Sequence, residues 1–341
     1  MTRPLVSVIL PVYNGSLYLR EAVSSILTQD LSDIELIVIN DASSDESDLV
    51  LKEFTDKRII HITNAINIGL ASTLNLGIAE AKGKFIARMD QDDIAQPQRL
   101  RLQAKAFLDD DNLGLCGSNF QAFGPHGVQT SDYPTNHDKI FTNLLFYNCI
   151  AHPTVMFKKE VFKKNGLFYD KEFDWAEDLD LWTKARHVTK FVNLNRPLLR
   201  YRINNTSMMA SGFSKVHNTV NAINKRSLME LGINASNTIL DLHLKIGHHL
   251  INPLDEIQTK DTGDHLWNII LHNRDVKVYN EHDLKEAIAT FWHPLLLNIP
   301  EHSRIELLNL EISNFLNSSK ILQWKLRGQI LKNRLKMMLG K

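Results

Sequence analysis

Apolar residues in the first third of the chain form short runs, and amphipathic stretches separate these runs. Four runs are rich in β-branched and other apolar side chains and predict buried strands. They are residues 6–10, 34–39, 58–62 and 85–89. Three stretches between the runs have a helical pattern and predict helices, of which Gly83 is expected to stop the last. They are residues 17–27, 48–54 and 71–81.

This alternation of strand and helix predicts an α/β fold with right-handed βαβ units and a mostly parallel sheet flanked by helices. Ligands of such sheets bind at the carboxyl ends of the strands. Three polar segments directly follow a predicted strand. They are residues 11–14, 40–45 and 90–93. We therefore expect these three segments to form a ligand site.

The pattern becomes irregular after about residue 113. Short strands are predicted at residues 113–116, 154–157, 191–194 and 198–203, and helices at residues 137–146 and 177–187. From about residue 214 the chain is expected to be mostly helical. The sequence therefore predicts an α/β domain over residues 1–212 and a helical region with a basic tail over residues 213–341.

Charge and cysteine content limit the class of protein. Among 341 residues, 39 Lys and Arg balance 39 Asp and Glu. A net charge of zero argues against nucleic acid as the partner, because such binding needs a surplus of cations. Two cysteines are too few for a disulfide scaffold or a four-thiolate metal site, and they favour a reduced, cytoplasmic chain. The sequence contains neither a signal-peptide pattern nor an apolar stretch long enough to span a membrane.

The densest group of candidate residues is Asp90, Asp92 and Asp93, three carboxylates within four positions at the end of a predicted strand. Such carboxylates repel one another unless a cation neutralises them. A hard divalent cation bound by carboxylate and phosphate oxygens would do so. The alternatives are a solvated acidic turn, or Asp93 acting as the N-cap of a following helix.

The other segments offer weaker signals of the same site. The Asp41 carboxylate could accept a hydrogen bond from the N–H of a uracil ring, and Tyr13 could cover a base. Gly69 permits a positive φ or a close approach of the backbone to a ligand. Helix capping by Asp or Ser, a packed surface tyrosine and a simple turn are the structural alternatives.

Glu177 and Asp178 begin a predicted helix between Trp175 and Trp182. The helix dipole by itself favours acidic residues at this end. Alternatively, one carboxylate could be a general base if burial against the two indole rings raised its basicity. His152 is a further candidate, although a lone histidine is more often structural.

Five motifs in order resemble those of the family 2 glycosyltransferases, which have the GT-A fold. The resemblance covers about residues 4–210. The motifs are PVYN, VINDASSD, NIGLASTLNLGI, FIARMDQDD and WAEDLDLW, followed by LLRYRINN. Within this family, the sequence resembles bacterial lipooligosaccharide β-1,3-N-acetylglucosaminyltransferases in GLASTLNLGI, FIARMDQDDIAQP, DWAEDLDLW and the Tyr201-Arg202 strand.

The resemblance implies a role for each matching position. Asp92 would bind Mn²⁺ or Mg²⁺ against the donor diphosphate, and Asp178 would be the general base, with Glu177 as its nearest competitor. The remaining positions would line the nucleotide site. They are Pro11, Tyr13, Asn14, Asp41, Ser43, Asn67, Gly69, Asp90 and Gln91. The reaction implied is inverting transfer, with UDP-GlcNAc as the best guess for the donor and a glycan or lipid-linked glycan as the acceptor.

Several alternatives stay open. The donor could be UDP-galactose or UDP-glucose, and the chain could be a sugar-nucleotide-binding subunit without catalysis. Asn204 stands where many relatives carry a histidine, which puts metal contact from that side in doubt. Residues 319–341 contain seven Lys or Arg and no acidic residue. An amphipathic helix there could lie on the inner face of the cell membrane, pack on the protein or contact a second copy in a homo-oligomer.

Overall fold

The computed structural model describes residues 3–125, 127–203, 213–299 and 301–317. The chain divides into two compact units, one formed by Met1–Leu144 with Asn148–Ile223 and the other by Leu145–Tyr147 with Asn224–Lys341. The first unit contains the β-sheet and the second is helical. The predicted domain boundary at residue 212 lies next to residues outside the described ranges and stays a prediction.

Four parallel strands form the first half of the sheet, in the order β3–β2–β1–β4. They are β1 (Val6–Val12), β2 (Ile34–Asn40), β3 (Ile59–Thr63) and β4 (Phe85–Arg88). The helices that connect them are α1 (Ser16–Leu27), α2 (Ser47–Lys52) and α3 (Leu70–Glu80). The predicted α/β fold is confirmed, and each of these seven elements lies within about two residues of its predicted bounds.

Helices cover both faces of this half of the sheet, which explains the continuous apolar runs. Val8 and Leu10 belong to the same buried cluster as Leu19 and Val23 of α1. On the opposite face, Gly77 of α3 lies so close to Ile9 and Ile39 that an added Cβ would be 2.6 Å from Ile9. Every residue of β1 and β2 is buried as a result.

Pro11 lies inside β1 without the cost that proline usually has in a central strand. On the side of β1 that faces β4, the last ladder hydrogen bond runs from Met89 N to Ile9 O. Alternation of the backbone places the proline nitrogen on that same side, beyond the point where the pairing with β4 ends. The strand therefore continues to Val12, two residues beyond its predicted end.

The second half of the sheet is mixed. Its elements are β5 (Ile94–Ala95), α4 (Arg99–Asp109), β6 (Leu113–Gly124), β7 (Gly127–Thr130), α5 (His137–Asn143), β8 (Met156–Lys158), α6 (Lys159–Lys164), α7 (Glu177–Ala185) and β9 (Lys190–Arg202). The sheet order continues β4–β8–β6–β9–β5, and β7 pairs with β6. β8 is antiparallel to both of its neighbours, whereas β6 and β9 are parallel.

Two predicted features of this unit are wrong in detail. The two strands expected at residues 191–194 and 198–203 are one strand, β9, whose register against β6 shifts around Pro197. Gly83 does not end α3 through a left-handed conformation, because Ala81 already leaves the helix with extended backbone angles. Gly83 is instead packed against β1, where an added Cβ would lie 2.5 Å from Ser7 N.

Within its described residues, the helical unit contains the end of α8 (Phe213–Glu230) and five further helices. They are α9 (Asn237–Gly247), α10 (Glu256–Val276), α11 (Glu281–Asn298), α12 (Glu301–Leu308) and α13 (Glu311–Phe315). Trp292 of α11 is fully buried and donates a hydrogen bond to the Ser313 hydroxyl at 2.9 Å. In the described part of the chain, every helix is too short or too polar to cross a bilayer.

Candidate active site

The three polar segments predicted to form a site contact one another at the carboxyl ends of β1, β2 and β4. Gln91 accepts a hydrogen bond from Tyr13 N at 2.8 Å and donates one to Tyr13 O at 3.0 Å. Ser43 Oγ accepts a hydrogen bond from Asn14 N at 3.0 Å. These bonds join the segment after β1 to both of the others. Because Gln91 holds only the backbone of Tyr13, the tyrosine side chain remains half exposed.

The backbone of the first segment is locally constrained. Asn14 has a φ of 51°, and its side-chain oxygen accepts a hydrogen bond from Ser44 N at 2.8 Å. A Cβ at Gly15 would lie 2.3 Å from the Gln91 side chain, so only glycine leaves Gln91 in its position. The segment is therefore fixed before any ligand arrives, which lowers the entropic cost of binding.

Asp41 is buried, and its carboxylate fixes the loop that carries Asn67 and Gly69. It accepts hydrogen bonds from Asn64 Nδ2 at 2.7 Å and from the backbone N–H groups of Ile68 and Gly69 at 3.0 Å each. Gly69 has a φ of 83°, a positive value that the sequence allows at this position because glycine adopts it without strain. The structure thus gives Asp41 a scaffolding role in the loop, and its expected contact with a base stays a prediction.

The three carboxylates after β4 have three different environments. Asp90 forms a two-pronged ion pair with the buried Arg88, with distances of 2.5 and 2.6 Å. Asp93 is fully buried and accepts a hydrogen bond from Arg202 N at 2.9 Å, while its second oxygen has no partner among the described residues. Burial and the charge of Asp90 raise the pKa of Asp93 well above its usual value. The alternative that Asp93 caps a helix is wrong, since Gln98 is the N-cap of α4.

The carboxylate of Asp92 suits a divalent cation whose other ligands would be water and phosphate oxygens. Asp92 is partly exposed, and its backbone carbonyl is anchored by Arg202 Nε at 2.9 Å. Within the described ranges, no three His, Cys, Asp or Glu side chains converge into a closed metal cage. Mg²⁺ and similar hard ions are commonly bound by one or two carboxylates together with water and substrate phosphates.

Glu177 and Asp178 begin α7 and differ in how their oxygens are satisfied. Asp178 accepts hydrogen bonds from Asn148 Nδ2 at 2.6 Å and from Leu179 N at 2.7 Å. Glu177 is buried, and its Oε2 has no hydrogen-bond partner among the described residues. Burial raises the pKa of both carboxyl groups, and the charge of Asp178 raises that of Glu177 further. Hydrogen bonds favour the ionised form of Asp178, so Glu177 is the member of the pair that more readily keeps a proton.

His152 and aromatic rings enclose this carboxylate pair. His152 Nδ1 lies 3.8 Å from Glu177 Oε1 and 3.9 Å from Asp178 Oδ2, and its Nε2 is 3.0 Å from the Tyr169 hydroxyl. Trp182 is fully buried and packs edge-on against both His152 and Tyr169. Of the two tryptophans proposed from the sequence to surround the pair, Trp182 is the deeply buried one, whereas Trp175 is only partly buried.

Arg88 interacts electrostatically with both acidic groups, the one after β4 and the one at the start of α7. Its guanidinium is bonded to Asp90, and its charge also opposes the rise in the pKa of Glu177 and Asp178 caused by burial. The sequence reasoning missed Arg88, Asn148 and Tyr169. A signal for Arg88 was present, because a lone cation inside an apolar strand must be paired with an acid. Asn204 and residues 319–341 lie outside the described residues, so the predictions made for them stay untested.

Comparison with known proteins identifies relatives. Residues 7–166 match the model of the family described as glycosyl transferase family 2. The O-antigen biosynthesis glycosyltransferase WbnJ of Escherichia coli is 38% identical over 220 residues, which are 62% of this chain and 84% of WbnJ. An uncharacterised glycosyltransferase of Haemophilus influenzae is 34% identical over 212 residues, which are 59% of this chain and 66% of that protein, just under two thirds of its length.

Solved structures share the fold. Staphylococcus aureus TarS residues 1–349, crystallised with UDP-GlcNAc, aligns with a TM-score of 0.56 at 18% identity, and the alignment covers 94% of this chain and 92% of that fragment. The mannosyltransferase PcManGT of Pyrobaculum calidifontis, in complex with GDP-Man and Mn²⁺, aligns with a TM-score of 0.50 at 17% identity and covers 94% of this chain and 87% of PcManGT. At these identities the likeness establishes the architecture.

Proposed function

Because the chain belongs to the family 2 glycosyltransferases, we propose that it transfers a hexose from a UDP-sugar to a hydroxyl of a glycan or lipid-linked glycan, with inversion at the anomeric carbon. The observation that carries this proposal is the pair of acidic groups in one unit, Asp90–Asp93 after β4 and Glu177–Asp178 at the start of α7. Arg88 interacts with both groups. One group suits a diphosphate-bound cation, and the other suits proton removal.

The nucleotide would lie on the segments that Gln91 and Ser43 join. Tyr13 offers a half-exposed ring for stacking on uracil, and the turn Asn67–Gly69, which Asp41 fixes, would border the nucleotide. Pro11 and Asn14 would line the nucleotide site, and Asp90, which is paired with Arg88, would face the ribose. Three donors already form hydrogen bonds to the Asp41 carboxylate. Asp41 would therefore accept a hydrogen bond from the base only with a lone pair that these three bonds leave available.

We propose that Asp92 binds Mn²⁺ or Mg²⁺. A bound cation would neutralise the negative charge that develops on UDP as the leaving group. Arg202 would keep the Asp92 backbone fixed. The ion pair between Arg88 and Asp90 would prevent Asp90 from competing for the cation. PcManGT, whose complex contains Mn²⁺, supports this use of the fold.

Asp178 would accept the proton of the attacking acceptor hydroxyl. Its carboxylate is ionised because Asn148 and Leu179 N stabilise the negative charge, while burial keeps it basic. The acceptor oxygen then attacks the anomeric carbon on the face opposite UDP, and the carbon–oxygen bond to UDP breaks. Glu177 is protonated in this arrangement and so does not compete for the acceptor proton.

The donor we propose first is UDP-GlcNAc, and the acceptor a galactose-terminated glycan of a bacterial surface polysaccharide. TarS, crystallised with UDP-GlcNAc, and the O-antigen enzyme WbnJ support this choice. The test is metal-dependent release of UDP from a panel of UDP-GlcNAc, UDP-galactose and UDP-glucose, with mass and linkage analysis of the product made on lactose. Preferred use of UDP-GlcNAc supports the proposal, preferred use of another sugar corrects the donor, and no transfer from any donor contradicts the function.

A further inference from the structure

The geometry around the carboxylate pair assigns a function to His152 and Tyr169, which the proposed reaction leaves unused. We propose that His152, oriented by Tyr169, is a positioning residue that donates its Nδ1–H to the Glu177–Asp178 pair and thereby keeps Asp178 ionised for catalysis. This inference rests on the proposed function in so far as Asp178 is the base. It adds two residues, His152 and Tyr169, that determine the charge of that base without taking the proton themselves.

The hydrogen bond to Tyr169 determines the tautomer of His152. Its Nε2 lies 3.0 Å from the Tyr169 hydroxyl, which is buried and has no other hydrogen-bond acceptor within reach among the described residues. A buried hydroxyl is best satisfied by donating, so Nε2 accepts this hydrogen bond. Burial and the charge of Arg88 lower the pKa of His152 well below its usual value, so the ring is neutral. Its one proton is then on Nδ1.

The Nδ1–H of His152 is directed between the two carboxyl groups of the pair. Nδ1 lies almost equally far from Glu177 Oε1 and Asp178 Oδ2, at 3.8 and 3.9 Å. Both distances exceed a hydrogen bond, and catalytic hydrogen bonds are often long in ligand-free enzymes and tighten on binding. An N–H dipole directed between two carboxyl groups stabilises a single negative charge on the pair without adding a full positive charge.

Asn75 holds the backbone of Tyr169 in place. The side chain of Asn75 in α3 donates to Tyr169 O at 2.6 Å and accepts from Tyr169 N at 3.1 Å. The tyrosine backbone is therefore fixed on both sides, as it would be in a strand ladder. A path of direct contacts leads from Asn75 through Tyr169 and His152 to the carboxylate pair. Asn75 belongs to the NIGLASTLNLGI motif, whose later residues otherwise have no place in the site.

Among the described residues, few charged or titratable groups lie around the pair. Arg88 and Asp90 approach from β4 and the segment after it, Asp174 from the residues before α7, and Tyr133 from the segment before α5. The Arg88 charge lowers the pKa of both carboxyl groups, whereas Asp174 raises that of Glu177. All of these groups are retained in the variants below, so a change in the pH profile reports on His152.

The test compares two uncharged replacements of His152. His152→Asn places an amide group near the position of Nδ1, whereas His152→Gln places it near the position of Nε2. If the proposal is correct, the acidic limb of kcat/KM against pH moves upward by about one pH unit in His152→Gln, the size expected for the loss of one hydrogen bond to a charged group. His152→Asn keeps the limb near that of the wild type, and Tyr169→Phe moves it in the same direction as His152→Gln.

A second readout does not depend on transfer. In the ¹⁵N spectrum of the full chain, with His152 assigned by its loss in His152→Asn, the wild type should show a protonated Nδ1 and an unprotonated Nε2, and Tyr169→Phe should alter this tautomer. A protonated Nε2 in the wild type overturns the inference, as do equal pH profiles for His152→Gln and His152→Asn. A wild type that transfers no sugar from any donor but shows the expected tautomer counts against the proposed function alone.

Discussion

Two neighbouring carboxyl groups in this protein differ because of the donors that surround them. Asp178 accepts two hydrogen bonds, whereas Glu177 has one oxygen without a partner among the described residues and lies almost completely buried. A buried carboxyl group without donors keeps its proton. These environments favour the proton on Glu177 and the negative charge on Asp178. Neither spacing nor residue type in WAEDLDLW could have shown this difference.

Replacing Asp178 by Asn should remove the base and keep the shape of the site. We expect the transfer rate to fall by about 10²- to 10⁴-fold, the usual contribution of general base catalysis. UDP affinity should stay near that of the wild type, because the nucleotide segments are held by Gln91 and Ser43. Rates of UDP release and calorimetric UDP affinity are the two measurements. Asp174→Asn, which changes an exposed carboxylate four positions earlier, is the matched control and should retain transfer.

Glu177 should also leave a signature in stability. Its folded-state pKa is raised, mainly by burial, so the folded protein retains a proton that the unfolded chain loses near pH 4.3. Raising the pH through this window therefore disfavours folding, by at most about 3 kcal/mol between pH 5 and 7 for one fully retained proton. Glu177→Gln removes this dependence, and urea unfolding should show its stability advantage over the wild type growing with pH. A constant difference would contradict the protonated state of Glu177.

At the scale of elements, the turn after β1 and the segment after β4 form one unit through Gln91. Gly15→Ala would force the Gln91 side chain away and break its two bonds to the Tyr13 backbone. We expect about tenfold weaker UDP binding, the equivalent of about 1.4 kcal/mol. Gln91→Ala should have a similar effect. The double variant should then lose much less affinity than the sum of the two single changes, since both act on the same contact.

Calorimetric titration with UDP measures all three variants. Fully additive losses would mean that Gly15 and Gln91 act independently. Undiminished affinity in both single variants would mean that the turn after β1 is not part of the nucleotide site.

The elements that could be predicted from the sequence are those whose burial pattern is simple. β1 and β2 are buried on every side, so uninterrupted apolar runs identify them. The helix α4 was missed because RLRLQ alternates like a strand, while Arg99 and Gln103 are buried polar residues on the inner face of that helix. β9 was divided in two because a strand that passes through Pro197 by shifting its register has no local sequence signal.

The candidate site was predictable only in part, for a related reason. Polar segments at strand ends are visible in the sequence, and the structure brings these segments together. The partners that determine their charge are distant in the chain: Asn148 is 30 residues from Asp178, and Tyr169 is 94 residues from Asn75. Contacts of this range depend on the completed fold.

At the scale of the whole molecule, the helical unit has its own response to acid. His243 donates from Nε2 to Leu145 O at 2.8 Å, and its Nδ1 lies 3.0 Å from His265 Nε2. Burial lowers the pKa of His243 to about 4 and that of His265 to about 3. The unfolded chain therefore binds more protons than the folded one below about pH 6.5, and stability falls as the pH drops.

His265→Gln tests this dependence, because an amide nitrogen near the Nε2 position can still donate to His243. The variant should lose less stability than the wild type on going from pH 7 to pH 5, by about 2 kcal/mol, the contribution of one histidine titrating over that range. Urea unfolding followed by tryptophan fluorescence measures the difference. Parallel pH dependences of variant and wild type would show that His265 binds protons equally in the folded and unfolded chain, which would contradict its lowered pKa.

The central claim is that Asp92 binds the diphosphate of a UDP-sugar through a divalent cation. The most direct test is the calorimetric affinity for UDP of the wild type, Asp92→Asn and Asp178→Asn, each with and without Mn²⁺. We predict that Mn²⁺ strengthens UDP binding at least about tenfold, a gain of about 1.4 kcal/mol, in the wild type and in Asp178→Asn, but not in Asp92→Asn. UDP affinity that is independent of Mn²⁺ in the wild type, or metal-dependent affinity that survives in Asp92→Asn, would contradict the claim.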